Sequence, residues 1–303
     1  MNSLTNKPLV SIIINCFNSA TYLRETIESV LSQSYENFEL IFWDNQSTDA
    51  SADIVKSYDD DRIKYFYAAA HTSLGEGRNL ALAKTRGEFV SFLDADDAYS
   101  PNRLEVCVNA FTDNTIGLVY TNGEIENSGK RSLFYNDIQQ SGSVFKLWLQ
   151  SYKVMIPSVM FRRECLSTLG HWVDTRFSMV EEYDFFLRIA KQWQIAYCHE
   201  NVCIWREHAG SMTWSKTGRW GQEFALLSSK MFDEGLATVE QLQTLDKKSA
   251  YYLYLGGLKE HMLKRAVLKP YILKDTRVFI LYISSFLGIQ CNLFLLKFAG
   301  LIK

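Results

Sequence analysis

Over its first hundred residues the chain alternates short apolar runs, each ending in polar residues, with amphipathic stretches. Residues 9–14 form a β-branched run bounded by Pro8 and Asn15, the pattern of a buried parallel strand. A helix capped by Asn18 or Ser19 should follow, with Leu23, Ile27, Val30 and Leu31 on one face. Residues 38–43 predict a second strand ending at Asp44, and residues 50–58 a short helix burying Ile54 and Val55. Residues 63–67 predict a third strand, 78–85 a helix with Leu80, Leu82 and Ala83 inward, and 89–93 a fourth strand. This βα alternation predicts an α/β fold with a parallel, doubly wound sheet, whose ligands lie outside the carboxyl ends of its strands. Three of those ends carry polar residues: Asn15 and Asn18, Asp44, and Asp94 with Asp96. Their convergence is itself a site prediction.

The later pattern is less regular. Residues 117–121 and 158–161 read as strands, 122–142 as a polar excursion, and 144–152 as a helix. Residues 178–192 predict a helix with Phe185, Phe186, Ile189 and Ala190 facing inward. Beyond Gly221 the pattern turns helical and then basic, so a catalytic domain over 1–235 and a helical appendage over 236–303 are expected.

Composition narrows the function classes. The net charge of −2 argues against a nucleic-acid partner, which usually selects a strong basic bias. That average hides an asymmetry, since residues 246–303 hold ten Lys/Arg against three Asp/Glu. Within this tail, 278–296 carries no formal charge and is bracketed by Arg277 and Lys297. As a helix it would extend about 28 Å at ~1.5 Å per residue. Ser284, Gly288 and Asn292 place a small or polar stripe opposite Phe279, Ile283, Phe286 and Leu293. A peripheral helix on an anionic membrane surface is expected, with packing on the domain or on a dimer partner as the alternative. Six scattered cysteines without a Cys-x-x-Cys pair, and a polar start without a signal peptide, point to reduced thiols and a cytoplasmic location, at the inner face of the membrane if the tail attaches there.

The densest chemical signal is Phe92-Leu93-Asp94-Ala95-Asp96-Asp97, an apolar strand ending in clustered carboxylates. Like charges this close are unfavourable unless a cation or hydrogen-bond donors offset them, and hard divalent cations take oxygen ligands. An acidic turn capping the strand is the alternative.

Further motifs occur in order around it: Val10-Ser11-Ile12-Ile13-Ile14 with Asn18, Tyr22-Leu23-Arg24-Glu25-Thr26-Ile27, Trp43-Asp44-Asn45-Gln46-Ser47-Thr48-Asp49, Gly77-Arg78-Asn79, Gly87-Glu88-Phe89-Val90, Glu181-Glu182-Tyr183-Asp184 with Arg188, and Arg206-Glu207-His208. Together they resemble the inverting family 2 glycosyltransferases, with their GT-A (Rossmann-like) nucleotide-sugar-binding fold, over roughly residues 8–215. The resemblance implies that Asn15, Phe17, Asn18 and Ala95 line the nucleotide-sugar site. It implies Asp44 as acceptor for the base, Arg78 near the base or diphosphate, and Asp94 on the ribose. Asp96 and His208 would hold Mn²⁺ or Mg²⁺. Glu182 would be the general base, with Asp184 as the alternative. Four positions depart from the family pattern: Asn15-Cys16 stands for its usual Pro-Thr, Asn45 for its second acid, and Glu182 for a more usual Asp.

UDP is the favoured nucleotide. The expected reaction is transfer of one sugar to a lipid-linked glycan acceptor, in surface-polysaccharide or lipopolysaccharide synthesis. A nucleotide-sugar-binding scaffold and a sugar-phosphate nucleotidyltransferase are the alternatives. The second of these would want a Gly-rich, Arg-containing loop after the first strand, where Asn15-Cys16-Phe17-Asn18 stands instead.

Overall fold

The computed structural model describes residues 7–208 and 217–255. The chain divides into two compact units: residues 1–145 with 152–208, and residues 146–151 with 209–303. The boundary expected at residue 235 falls within the second of these.

The first unit begins as the alternation predicts. Strands β1 (Val10–Cys16), β2 (Phe38–Asp44), β3 (Ile63–Tyr67) and β4 (Phe89–Phe92) are linked by helices α1 (Ala20–Leu31), α2 (Ser51–Lys56) and α3 (Leu74–Leu82). They lie side by side in the order β3-β2-β1-β4, all parallel. Cys16, Asp44 and Tyr67 are in register, so the first three strands end level, and the Leu93 N–H bonds Ile13 O beside them. Polar residues collect at this carboxyl edge because β1, β2 and β4 are buried along nearly their whole length. Leu23, Ile27 and Val30 of α1 share one cluster with Ile12, Ile14, Leu40 and Phe42, each fully buried and each contributing about 1.5–3 kcal/mol.

Beyond β4 the sheet is no longer parallel throughout. A two-residue strand β5 (Ala98–Tyr99) and helix α4 (Arg103–Asn109) precede β6 (Ile116–Asn127) and β7 (Lys130–Leu133). Then come α5 (Phe145–Gln150), a 3-10 turn (Ile156–Ser158), β8 (Val159–Arg162), α6 (Cys165–Thr168), α7 (Glu181–Gln192) and β9 (Gln194–Glu207). Strand β8 runs antiparallel between β4 and β6, while β9 lies parallel to β6 and antiparallel to β5. The described residues therefore form one mixed nine-stranded sheet, and the doubly wound parallel pattern holds only for its first four strands. Buried Arg103 staples the change of direction, donating to Ser91 Oγ on β4 and to the Val159 carbonyl on β8.

Two local expectations shift. Helix α3 starts at Leu74, not at residue 78, because Ser73 Oγ accepts the Glu76 N–H as its N-cap. Helix α1 is not capped by its own side chains. Asp49 Oδ2 accepts the Ala20 N–H and Ser51 Oγ the Ser19 N–H, so the cap comes from the loop after β2.

In the second unit, α8 (Thr217–Asp233) and α9 (Val239–Leu255) pack as a pair through buried Gly221, where a Cβ would meet Leu253 N at 2.5 Å. The five described cysteines, Cys16, Cys107, Cys165, Cys198 and Cys203, are free thiols. Among the described residues no helix is long and apolar enough to cross a membrane; the expected tail helix 278–296 lies outside them.

Candidate active site

At the ends of β1 and β2 the chain is held by its own side chains. Asn18 adopts φ 51°, and its Oδ1 accepts the Thr48 N–H at 2.7 Å. Asp44 is fully buried. Its Oδ1 accepts the Ser47 N–H and its Oδ2 the Tyr65 hydroxyl, both at 2.7 Å, so its carboxylate organises the turn around it. Asn45 binds Thr72 on both sides: its Oδ1 accepts the Thr72 N–H at 3.0 Å and its Nδ2 donates to the Thr72 carbonyl at 2.8 Å. An acid could not make the second bond, which explains an amide at the position where the family pattern has its second acid. Asn45→Asp should destabilise the protein by about 1–3 kcal/mol through a lost donor and a carboxylate pushed against a carbonyl. Chemical denaturation of the two proteins checks this.

Two donors at this edge lack partners. Asn15 Nδ2 and Trp43 Nε1 are buried without a hydrogen bond, and both residues flank Gly77, where a Cβ would lie 3.2 Å from Asn15 Nδ2 and 3.6 Å from Trp43 Cδ1. Beside them Phe17 is half exposed, its ring tilted against His71 with centroids 4.4 Å apart.

The acid turn after β4 meets the start of α7 through Arg78. That guanidinium is buried on α3, donating to Glu181 Oε1 at 2.8 Å and to Asp94 Oδ1 at 3.2 Å. Burial raises the Asp94 pKa, and the Asp96 charge adds to it against the pull of Arg78. Glu182 lies next to this bridge. Burial and the neighbouring Glu181 charge lift its carboxyl to about 8, opposed by Arg78. A carboxylate tuned to that range is a competent proton acceptor near neutral pH.

Asp96 faces the end of β9. His208 Nε2 stands 2.8 Å from Asp96 Oδ2, and both side chains are roughly one-third exposed. Arg206 fixes this meeting, its N–H reaching Asp97 Oδ1 at 2.9 Å and its Nη1 the Asp96 carbonyl at 2.8 Å. The same guanidinium also pairs with Glu25 on α1. Asp97 is fully buried, and burial with the Asp94 and Asp96 charges pushes its carboxyl well above the usual range. The backbone carbonyls of Ala95 and Asp97 both lie within 3.0 Å of Thr26 Oγ1, which ties the turn to α1.

This donor set fits a divalent cation. Asp96 Oδ2 and His208 Nε2 converge to 2.8 Å and both remain open to solvent, so the two would be placed to share a cation. The crowding of Asp94 and Asp96 is the charge excess that a cation would relieve. A mixed carboxylate and imidazole set suits Mn²⁺ better than Mg²⁺, which prefers oxygen alone.

Asp184 lies elsewhere. It is fully buried, and its Oδ2 accepts from Arg188 at 2.8 and 3.0 Å. Arg188 also donates to the His171 carbonyl at 2.6 Å, so the pair fastens α7 to the segment before it. Ligand-type atoms of His171, Asp174 and Asp184 gather within 4.8 Å, but Arg176 and Arg188 already face the two carboxylates.

The structure thus brings Arg78, Asp94 and Glu182 together, and separately Asp96 with His208. Sequence reading gave no role to Glu181, Asp97 or Arg206, although all three lie in its motifs. Charged residues in a motif that the proposed chemistry leaves idle were the available signal.

The family model described as Glycosyl transferase family 2 matches residues 11–170. An uncharacterized glycosyltransferase, RT0329 of Rickettsia typhi, is 28% identical, the match covering 89% of this chain and 85% of that protein. The Escherichia coli UDP-Glc:alpha-D-GlcNAc-diphosphoundecaprenol beta-1,3-glucosyltransferase WfgD is 37% identical over 40% of this chain and 47% of its own length. The mannosyltransferase PcManGT of Pyrobaculum calidifontis, solved with GDP-Man and Mn²⁺, superposes with a TM-score of 0.61 at 19% identity, covering 98% of this chain and 87% of that one. With the family match spanning more than half of its length and a GT-A-like sheet carrying the acid turn, this chain is a member of glycosyl transferase family 2.

Proposed function

We propose that the protein is an inverting, metal-dependent transferase moving one hexosyl unit from a nucleoside-diphosphate sugar, UDP-linked, to a hydroxyl of a lipid-linked glycan. The observation that carries this reading is Glu182, lifted to about 8 beside the Arg78 bridge to Asp94. In an inverting displacement the acceptor hydroxyl attacks opposite the leaving group, and a carboxylate takes its proton; Glu182 fills that role. Asp94 binds the ribose, and Arg78 holds it in place. Phe17 and His71 offer a face to the base, with the Asn15 and Trp43 donors beside them for its acceptor atoms. Asp44 shapes that pocket through the Ser47 turn. Asp96 and His208 hold Mn²⁺ in preference to Mg²⁺, and a bound cation supplies charge stabilisation to the departing diphosphate. The lipid-linked acceptor takes its support from the WfgD likeness. A cell-surface polysaccharide precursor is the corresponding product class.

Calorimetric titration of UDP, GDP and dTDP with and without Mn²⁺ tests the donor site. UDP is expected to bind in a Mn²⁺-dependent way, weakened at least about tenfold by Asp96→Asn. Metal-independent binding, or none, would remove the transferase reading.

A further inference from the structure

The first unit carries a second cleft, at the amino-terminal edge of the sheet. It has a volume of about 820 Å³ and is lined by the end of α3, the residues before β4, and the segments around α6 and the end of α7. Its size lies within the range of small-molecule sites, roughly 300–1,000 Å³. Glu88 on its wall precedes β4, and Asp94 follows that strand. Six residues of extended chain separate the two by roughly 20 Å at ~3.3 Å each. A ligand here does not touch the donor site.

The cleft presents two tryptophans from different elements. Trp172 Nε1 donates to the Leu166 carbonyl and Trp193 Nε1 to Thr168 Oγ1, both at 3.2 Å. With both indole N–H groups satisfied by the protein, ring carbon is what remains for a ligand. Trp193 is seated tightly, since a Cβ on Gly117 would fall 2.5 Å from its own Cβ. Charged groups complete the cleft in balance. Arg162, held over Phe89 and Phe111, pairs with Glu88 at 3.0 Å, and exposed Arg163 and Glu164 follow it.

We infer that this cleft binds a neutral oligosaccharide. Aromatic faces carry negative potential and attract the C–H face of a pyranose, while donors and acceptors of both signs suit its hydroxyl rim. The balanced charge disfavours a phosphate or nucleotide, which would require a net basic lining. A glycan held here while its growing end visits the carboxyl edge would gain effective concentration at the active site. The binding claim stands independently of the transferase reading.

The test is titration of the full chain with four neutral tetrasaccharides, built from glucose (α- and β-linked), mannose and N-acetylglucosamine, read by tryptophan fluorescence and calorimetry. Saturable binding of at least one is expected. It should weaken at least tenfold in Trp172→Ala and be largely kept in Trp172→Phe, with the Mn²⁺–UDP titration unchanged in both. No saturable binding of any of the four would overturn the inference, as would binding that survives Trp172→Ala. Concentration-dependent dimerisation broken by Trp172→Ala would assign the cleft to a second copy instead, and would equally overturn it. Because UDP binding is measured in parallel, loss of the donor-site reading would be seen separately.

Discussion

Glu182→Gln is expected to lower kcat by roughly 10²–10⁴-fold while leaving Mn²⁺-dependent UDP binding intact. The amide keeps the shape of the side chain but cannot take the acceptor's proton. The wild-type pH profile should carry the same signature. With the carboxyl lifted to about 8, the active, deprotonated form grows as pH rises, so kcat/KM should climb about tenfold per pH unit below that value and flatten above it. The variant should lose that inflection. Stability gives an independent readout. The folded-state pKa lies above the ordinary carboxylate value, so the proton on Glu182 contributes stability that is complete below the unfolded pKa and is lost as pH rises through about 8. Gln has no such loss, and the melting temperatures of the two proteins should diverge in favour of the variant between those limits. Wild-type turnover in Glu182→Gln would place the base elsewhere.

The part of the site that rests on β1, β2 and β4 was legible in the sequence for a physical reason. Strands buried along their length must be written as continuous apolar runs, and their carboxyl ends must turn polar abruptly. Asn15, Asp44 and Asp94 therefore announced themselves. Helix α3 was legible only from its middle, because Gly75 and Gly77 make its first turn look like a loop. Gly77 is there because Asn15 and Trp43 pack against it. Strand β9 was not legible at all. Its fourteen residues include the exposed run His199-Glu200-Asn201, and its register to β6 shifts at Thr121/Asn122. No period of two survives such an irregularity. Yet β9 delivers Arg206 and His208 to the acid turn, so half of the expected metal site hung on a strand visible only in three dimensions. The polar excursion after residue 122 misled for a related reason. Asn122–Asn127 continues β6, and Asn122 is buried because its amide bonds the Tyr135 backbone on both sides. Asp184 shows the opposite limit: motif position made it a candidate base, but only the fold reveals Arg188 against it.

Arg78→Ala should be the most destabilising single change at the site, by about 3–5 kcal/mol, or roughly 6–20 °C in melting temperature. The guanidinium is buried, and so is Glu181 on the other side of its 2.8 Å bond, so truncation removes the cation that the Glu181, Glu182 and Asp94 carboxyls all face. Most of the loss is the electrostatic penalty of taking that cation away from the carboxyls around it. The double variant Arg78→Met/Glu181→Leu should therefore recover a large fraction of it, with a coupling between the two sites of at least about 1 kcal/mol in a thermal or denaturant cycle. Strictly additive losses would mean that Arg78 acts through packing against Phe92 and not through charge. Activity separates the two roles further. Arg78 is the group that holds the Glu182 carboxyl down, so any folded variant lacking it but keeping Glu181 should show its kcat/KM inflection at higher pH than wild type. A hydrophobic pair could hold these elements together as well or better, but it would leave Asp94 unanchored and Glu182 without the cation that holds its carboxyl down. The buried arginine is therefore best understood as the group that sets proton affinity at Glu182 and orientation at Asp94.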